Sequence, residues 1–247
     1  MFRSASIFLV LVVASCAVSA QTISKPDGLW RGTLGAGMTA ASGNTESTTV
    51  NVSTDAVKET EYDKLSGYLQ ALYGTREANG GSERTSELVR TGARYNRDTD
   101  RVLFGFGSLD FERNGLIDLK LRSVFAGGIG AHILKREDFT FDVSTGPAYN
   151  REDYDALTRD AVEWLVGEES VHRITPGVSF RQRLTYYANL RDTGEYRLIF
   201  DAGFVFEITK RWNATITLND RYQSNPLPGV NKNDVLLVTG FQYAFNP

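Results

Sequence analysis

The chain has 247 residues, 41% of them hydrophobic and 23% charged, and carries a net charge of −3. This slightly acidic balance, with no basic run, excludes nucleic acid as an expected partner, and the length suits one all-β domain. The average polarity excludes neither a soluble protein nor a membrane barrel, because only alternate residues of a barrel strand meet lipid.

Met1 to Ala20 has the form of a secretory signal peptide. Arg3 gives the positive start, and Ile7 to Ala14 is an apolar stretch too short to span a bilayer as a helix. Val18-Ser19-Ala20 puts small residues where a signal peptidase cuts. Cleavage is expected after Ala20, leaving residues 21–247 as a single barrel domain. Two alternatives stay open: a retained anchor, or lipidation at Cys16, since Val13-Ala14-Ser15-Cys16 loosely resembles a bacterial lipobox. Cys16 is the sole cysteine, so the mature chain has no disulfide or thiolate chemistry. Beyond the leader no apolar run approaches the length of a transmembrane helix.

From residue 28 onward the hydrophobic period is two, the signature of strands. The early segments are weak: Trp30 to Ala40, Thr48 to Ala56, Leu65 to Tyr73, Glu87 to Tyr95 and Val102 to Ser108. Leu119, Leu121, Phe125, Ile129 and Ile133 then oppose Lys120, Arg122 and His132, and Phe139, Phe141 and Val143 oppose Thr140, Asp142 and Ser144. After a short segment at Val162 to Val166, Val178, Phe180, Leu184, Tyr186 and Ala188 oppose Ser179, Arg181, Arg183, Thr185 and Asn189. The clearest case is Tyr196, Leu198, Phe200, Ala202, Phe204, Phe206 and Ile208 against Arg197, Asp201, Gly203 and Glu207. Trp212, Ala214, Ile216 and Leu218 oppose Asn213, Thr215, Thr217, Asn219 and Arg221, and Val235, Leu237, Phe241, Tyr243 and Phe245 share a face of the last segment. Turn formers separate these runs, among them Ser42-Gly43-Asn44-Thr45, Asn79-Gly80-Gly81, Asn114-Gly115 and Asn225-Pro226-Leu227-Pro228-Gly229.

The expected fold is a closed antiparallel transmembrane β-barrel of about 12 strands, which puts both termini on the periplasmic side. External loops are then expected near 42–46, 75–85, 112–118, 150–160, 190–195 and 223–233, and shorter periplasmic turns between them. The aromatic residues Trp30, Tyr73, Tyr95, Tyr149, Trp164, Tyr186, Tyr196, Trp212 and Phe245 fall near strand ends, as interfacial girdles do. A soluble secreted β-sandwich, with the apolar face as its core, remains the alternative at this point. The opposite face is charged. Lys120, Arg122, Asp142, Glu163, Arg181, Arg183, Arg197, Asp201, Glu207 and Arg221 are the candidate lumen-lining residues, with Arg90, Arg94 and Asp55 on the same face.

Gly240-Phe241-Gln242-Tyr243-Ala244-Phe245 resembles the C-terminal recognition signal of outer-membrane barrels, with Gly240, Tyr243 and Phe245 as its assembly residues. Val238 stands where a polar residue is usual, and Asn246-Pro247 extend past the terminal phenylalanine. Across residues 28–245 the chain also resembles the YdiY-like family of salt-induced outer-membrane proteins. The likeness rests on Ser42-Gly43-Asn44-Thr45-Glu46, Phe111 to Leu119, Gly146 to Glu152, Tyr196-Arg197-Leu198 and Ser224 to Val230. It implies an outer-membrane barrel and brings no established activity with it.

An outer-membrane lipid-modifying enzyme would need a serine–histidine pair. Only His132 and His172 are available, one expected in the lumen and the other in a periplasmic turn. Two distant histidines make no transition-metal site, and Glu152, Asp153 and Asp155 lack the spacing of a dedicated calcium loop. No catalysis, metal or cofactor is expected. The expected partners are outer-membrane lipids, the barrel assembly machinery and small ions or solutes. The arginine-rich lumen has two readings, an anion-selective lining or an ion-paired plug, in a narrow or closed channel or a structural component of the envelope.

Overall fold

The computed structural model describes residues 26–41, 46–78 and 81–246. The expected leader, Cys16, the Ser42–Thr45 turn, Asn79-Gly80 and Pro247 lie outside these residues. Twelve strands follow in chain order: β1 (Trp30–Ala41), β2 (Glu46–Glu59), β3 (Asp63–Ala78), β4 (Gly81–Asp98), β5 (Leu103–Asn114), β6 (Leu119–Lys135), β7 (Phe139–Tyr154), β8 (Thr158–Thr175), β9 (Val178–Asn189), β10 (Tyr196–Glu207), β11 (Trp212–Gln223) and β12 (Asn233–Phe245). Each pairs antiparallel with its sequence neighbour, and β12 returns to β1 with Gly32 opposite Phe245, closing the barrel. Closure leaves no unpaired strand edge, the condition for a sheet to cross a bilayer. β1 begins and β12 ends at one rim, called here the terminal rim; the opposite rim is the loop rim.

Apolar side chains face outward and stay exposed. Leu34, Val52, Leu69, Phe125, Ile129, Phe204, Ile216, Leu237 and Phe241 form a belt around the wall. All nine aromatic residues expected in girdles are exposed. Trp30, Tyr95, Trp212 and Phe245 lie toward the terminal rim, and Tyr73, Tyr149, Trp164, Tyr186 and Tyr196 toward the loop rim. A sandwich would bury these faces against each other, so the closed barrel with an apolar exterior removes the soluble alternative.

Several strands run beyond the expected alternation. β8 spans Thr158–Thr175, far past the short run at Val162 to Val166. Polar Glu168, Ser170 and His172 on its outer phase and apolar Leu165 and Val171 on its inner phase erase the pattern. β7 and β8 extend past the rim until only residues 155–157 connect them, shrinking the expected 150–160 loop. At the β5–β6 connection Asn114 caps a short 3-10 turn, its side chain accepting a bond from the Leu116 amide, and Asp118 takes a left-handed conformation.

Lys120 departs from its expected place in the lumen. The β6–β7 register shifts between Leu119 and Leu121, and the extra residue turns Leu119 inward. Leu119 is 1% exposed, whereas Lys120 stands out at the loop rim and pairs with Asp155 at 2.9 Å.

The interior is less uniformly polar than the alternation implied. Phe104, Phe106, Val124, Ala148, Leu165 and Tyr187 form one apolar cluster inside β5–β9, and Leu72, Leu88 and Val238 form another across β3, β4 and β12. Val238, the departure in the C-terminal signal, is fully buried there. Between β6 and β7 the wall admits only glycine at one point: a Cβ on Gly128 would lie 2.1 Å from the Thr145 carbonyl oxygen.

Candidate functional site: the barrel lumen

The alternation that turns apolar residues to the outside carries charged residues inward from β2 to β12. They line a cavity of about 290 Å³. Arg122 is its most connected member. Its Nε donates to Glu152 at 2.9 Å, its Nη1 lies 3.2 Å from Glu112, and its Nη2 lies 3.4 Å from the Gln223 Oε1 on β11. Glu112 also receives Arg90 Nε at 2.8 Å. Four strands, β4 to β7, thus share one ion network near the loop rim. Arg197 and Glu163 form a two-pronged pair at 2.9 and 2.6 Å, with the guanidinium over the Tyr187 ring. Both partners are almost fully buried, so the pair is shielded from salt more than a surface bridge.

Further along, Arg221 meets Asp201 at 2.7 Å, and Asn219 also donates to Asp201. Arg183 donates two bonds to Glu169 at 3.2 and 2.8 Å. Tyr68 donates to Asp110 at 2.8 Å. Arg94 lies over the Phe106 ring and bonds Asn96 instead of an acid. Arg181 leaves Nε and Nη1 without hydrogen-bond partners inside the cavity wall.

Of the ten residues expected to line the lumen, Arg122, Arg181, Arg183, Arg197, Asp201 and Arg221 line this cavity. Glu163 stands behind Arg197. Asp142 faces inward nearer the terminal rim, where it bonds His132 Nδ1 at 2.7 Å. Lys120 and Glu207 are not part of the cavity: the first is displaced by the bulge, and the second is exposed where β10 ends. Sequence reasoning passed over Glu112, Glu169 and Asp110 as lumen residues and placed Glu152 in a loop. Their signal was available in part, because Glu112 and Glu152 each alternate with an outward arginine, Arg113 and Arg151. The three acids weighed for calcium do not converge. Glu152 points inward to Arg122, Asp153 takes a bond from Thr158, and Asp155 pairs with Lys120.

Both ring nitrogens of His132 face carboxylates, Asp142 at 2.7 Å and Asp98 at 3.3 Å. His172 packs edge-on against Phe139 on the outer face. At the chain end, Tyr243 lies edge-on to Trp212 and accepts a bond from Arg211 at 3.1 Å, while Phe245 is exposed beside Gly32 on the terminal rim. Gly240 lies on the inner phase of β12 opposite Thr215.

Residues 34–245 match the model of the family described as "Protein of unknown function, DUF481". The chain belongs to that family. No curated protein matches this member in sequence. In fold it is similar to an outer-membrane channel from Pseudomonas putida F1, at 11% identity, covering 90% of this chain and 97% of the other with a TM-score of 0.52. It is also similar to the translocator domain of the autotransporter NalP from Neisseria meningitidis, at 15% identity, 87% of both chains and a TM-score of 0.48. The NanC porin matches at 9% identity, 87% of this chain and 97% of that one, with a TM-score of 0.46. The likeness to the Pseudomonas channel is one of fold: this family member is a twelve-stranded antiparallel barrel of the kind found in outer membranes.

Proposed function

We propose that this family member is an exported bacterial outer-membrane barrel whose lumen is held nearly shut by ion pairs, so that it passes small ions and hydrophilic solutes slowly and catalyses nothing. The observation that carries this reading is the Arg122 network, which ties β6 to acids on β5 and β7 and reaches β11 on the far side of the ring. Twelve strands enclose a space between that of a filled eight-stranded barrel and that of an open porin. Here arginine side chains and two apolar clusters occupy much of it.

The lining favours anions slightly. Nine basic and six acidic side chains border the cavity. Counting Glu152 and Glu163, which hold Arg122 and Arg197, leaves an excess of one cation. Cationic linings favour anions, but an excess this small supports a weak preference. A lipid-modifying enzyme is disfavoured because His132 already faces a carboxylate on each nitrogen, leaving neither to activate a serine.

We assign the chain to the YdiY-like, salt-induced kind of barrel on the segments Phe111 to Leu119 and Gly146 to Glu152. These segments supply Glu112 and Glu152, the two carboxylates on Arg122, and Gly146 at the close pass of β6 and β7. Export through the leader to Ala20, insertion through Gly240, Tyr243 and Phe245, and residence among outer-membrane lipids complete the proposal. Refolding into liposomes tests it first: the barrel migrates faster on a gel before heating than after. Migration that heating does not change contradicts a membrane barrel.

A further inference from the structure

The apolar belt is interrupted at one place on the outer face of β8 and β9. Glu168 shares the outward phase of β8 with the exposed Trp164 and Val166. Its ladder neighbours are Val143 of β7 and Leu184 of β9. Gln182 of β9 lies on the same face, opposite Ser170, and its Nε2 donates to Glu168 Oε1 at 2.7 Å. Glu168 sits mid-strand, between the Trp164 girdle residue and the turn at 176–177. Outward basic residues Lys58, Arg97, Arg113 and Arg151 all lie close to strand ends, and the outward Asp220 neighbours Tyr222 near the loop rim. Among the described residues, Glu168 is the outward ionisable group farthest from both rims.

A carboxyl in that position is costly. Hydrocarbon offers no partner for its remaining lone pairs or for the second N–H of Gln182. Another protein surface in the membrane can supply them. We propose that the β8–β9 face is a two-fold interface with a second copy of this chain; this rests on reading the outer wall as lipid-facing.

The patch is self-complementary. Each Glu168 retains free acceptors, and each Gln182 retains one N–H and its carbonyl oxygen. About a two-fold axis, each Gln182 donates its spare N–H to Glu168 of the other copy, giving two symmetric hydrogen bonds across the interface. A head-to-tail contact between copies has no such match, because among the described residues no basic side chain faces outward at the same depth. Leu184, Phe180 and the small Ala202 flank the pair and give it an apolar surround that lets two walls approach closely.

The test is oligomeric state in lipid. The full chain with Cys16→Ser is refolded into liposomes, its copies are counted by photobleaching, and disulfide formation is followed with Ser170→Cys or, on another part of the wall, Leu69→Cys. Dimers are expected, cross-linked through Ser170→Cys and not through Leu69→Cys. The Glu168→Leu, Gln182→Leu double variant is expected to keep heat-modifiable migration and to dimerise at least tenfold more weakly. Monomers with intact migration overturn the interface alone. So do unchanged dimerisation of the double variant, cross-linking only through Leu69→Cys, or, in native membranes, cross-links from Ser170→Cys only to a different protein. A wild-type chain that fails to show heat-modifiable migration overturns the membrane reading, and the interface with it.

Discussion

Arg122 on β6 and Gln223 on β11 meet inside the barrel, Nη2 to Oε1 at 3.4 Å. Their strands are not neighbours in the ring, so this contact crosses the lumen and does not run along its wall. Glu112 and Glu152 hold the same guanidinium from two further strands. One side chain therefore joins strands on opposite sides of the lumen near the loop rim.

Removing that cation should do two things. Arg122→Leu leaves Glu152 buried without its partner, and breaking a buried pair from one side costs about 3–5 kcal/mol. A wet lumen should bring the loss to the low end of that range, read as a lower urea midpoint for the liposome-refolded protein. Conductance should rise, because the bridge across the lumen is gone. A variant as stable and as closed as the wild type would show that Arg122 organises nothing.

The outward assignment is tested at Phe204, which is exposed mid-belt with its ring tilted against that of Phe180, centroids 5.0 Å apart. Phe204→Arg should cost about 2–4 kcal/mol, as a cation does on the lipid face of a barrel near the midplane. Phe204→Leu should cost less than about 1.5 kcal/mol. Equal refolding yields and midpoints for the two variants would mean that this face does not meet lipid.

At Gly128 the limit is steric. A Cβ would lie 2.1 Å from the Thr145 carbonyl oxygen, and a backbone atom cannot swing aside as a flexible side chain can. Gly128→Ala should destabilise by about 1–3 kcal/mol or more, the usual cost of overpacking. Gly107→Ala, where a Cβ meets nothing within 4 Å, should be close to neutral. Matching midpoints for the two variants would remove the close-pass account of β6 and β7.

Insertion is tested at the chain end. Tyr243 and Phe245 face outward on the strand that closes the barrel. Alanine at both should sharply lower membrane yield. Removing Asn246 and Pro247, which costs the bond from Asn246 to the Trp30 carbonyl, should have a small effect. Normal yield of the double alanine variant would show that assembly does not read these rings.

The twelve-strand barrel and the girdle positions could be read from the sequence because a period of two survives wherever one face meets lipid and the other meets water. Residues 196–208 show this best, and β10 lies where that run falls. The pattern failed at β8, where an outward Glu168 and an inward Leu165 reverse the expected polarities. It failed at Lys120 for a different reason, since a one-residue bulge moves Leu119 to the inner face and no periodicity marks the slip. The lumen arginines were visible one by one, but their partners were not. Which acid meets Arg122 depends on register between β5, β6 and β7, information carried by strand pairing and not by any single strand.

The ion-paired lumen is tested most directly by planar-bilayer recording of the refolded wild-type protein in asymmetric salt. The expected result is a small conductance with a reversal potential shifted slightly toward anion selectivity, increased by Arg122→Leu. A large, steady conductance with clear cation preference would contradict both the constriction and the charge of its lining.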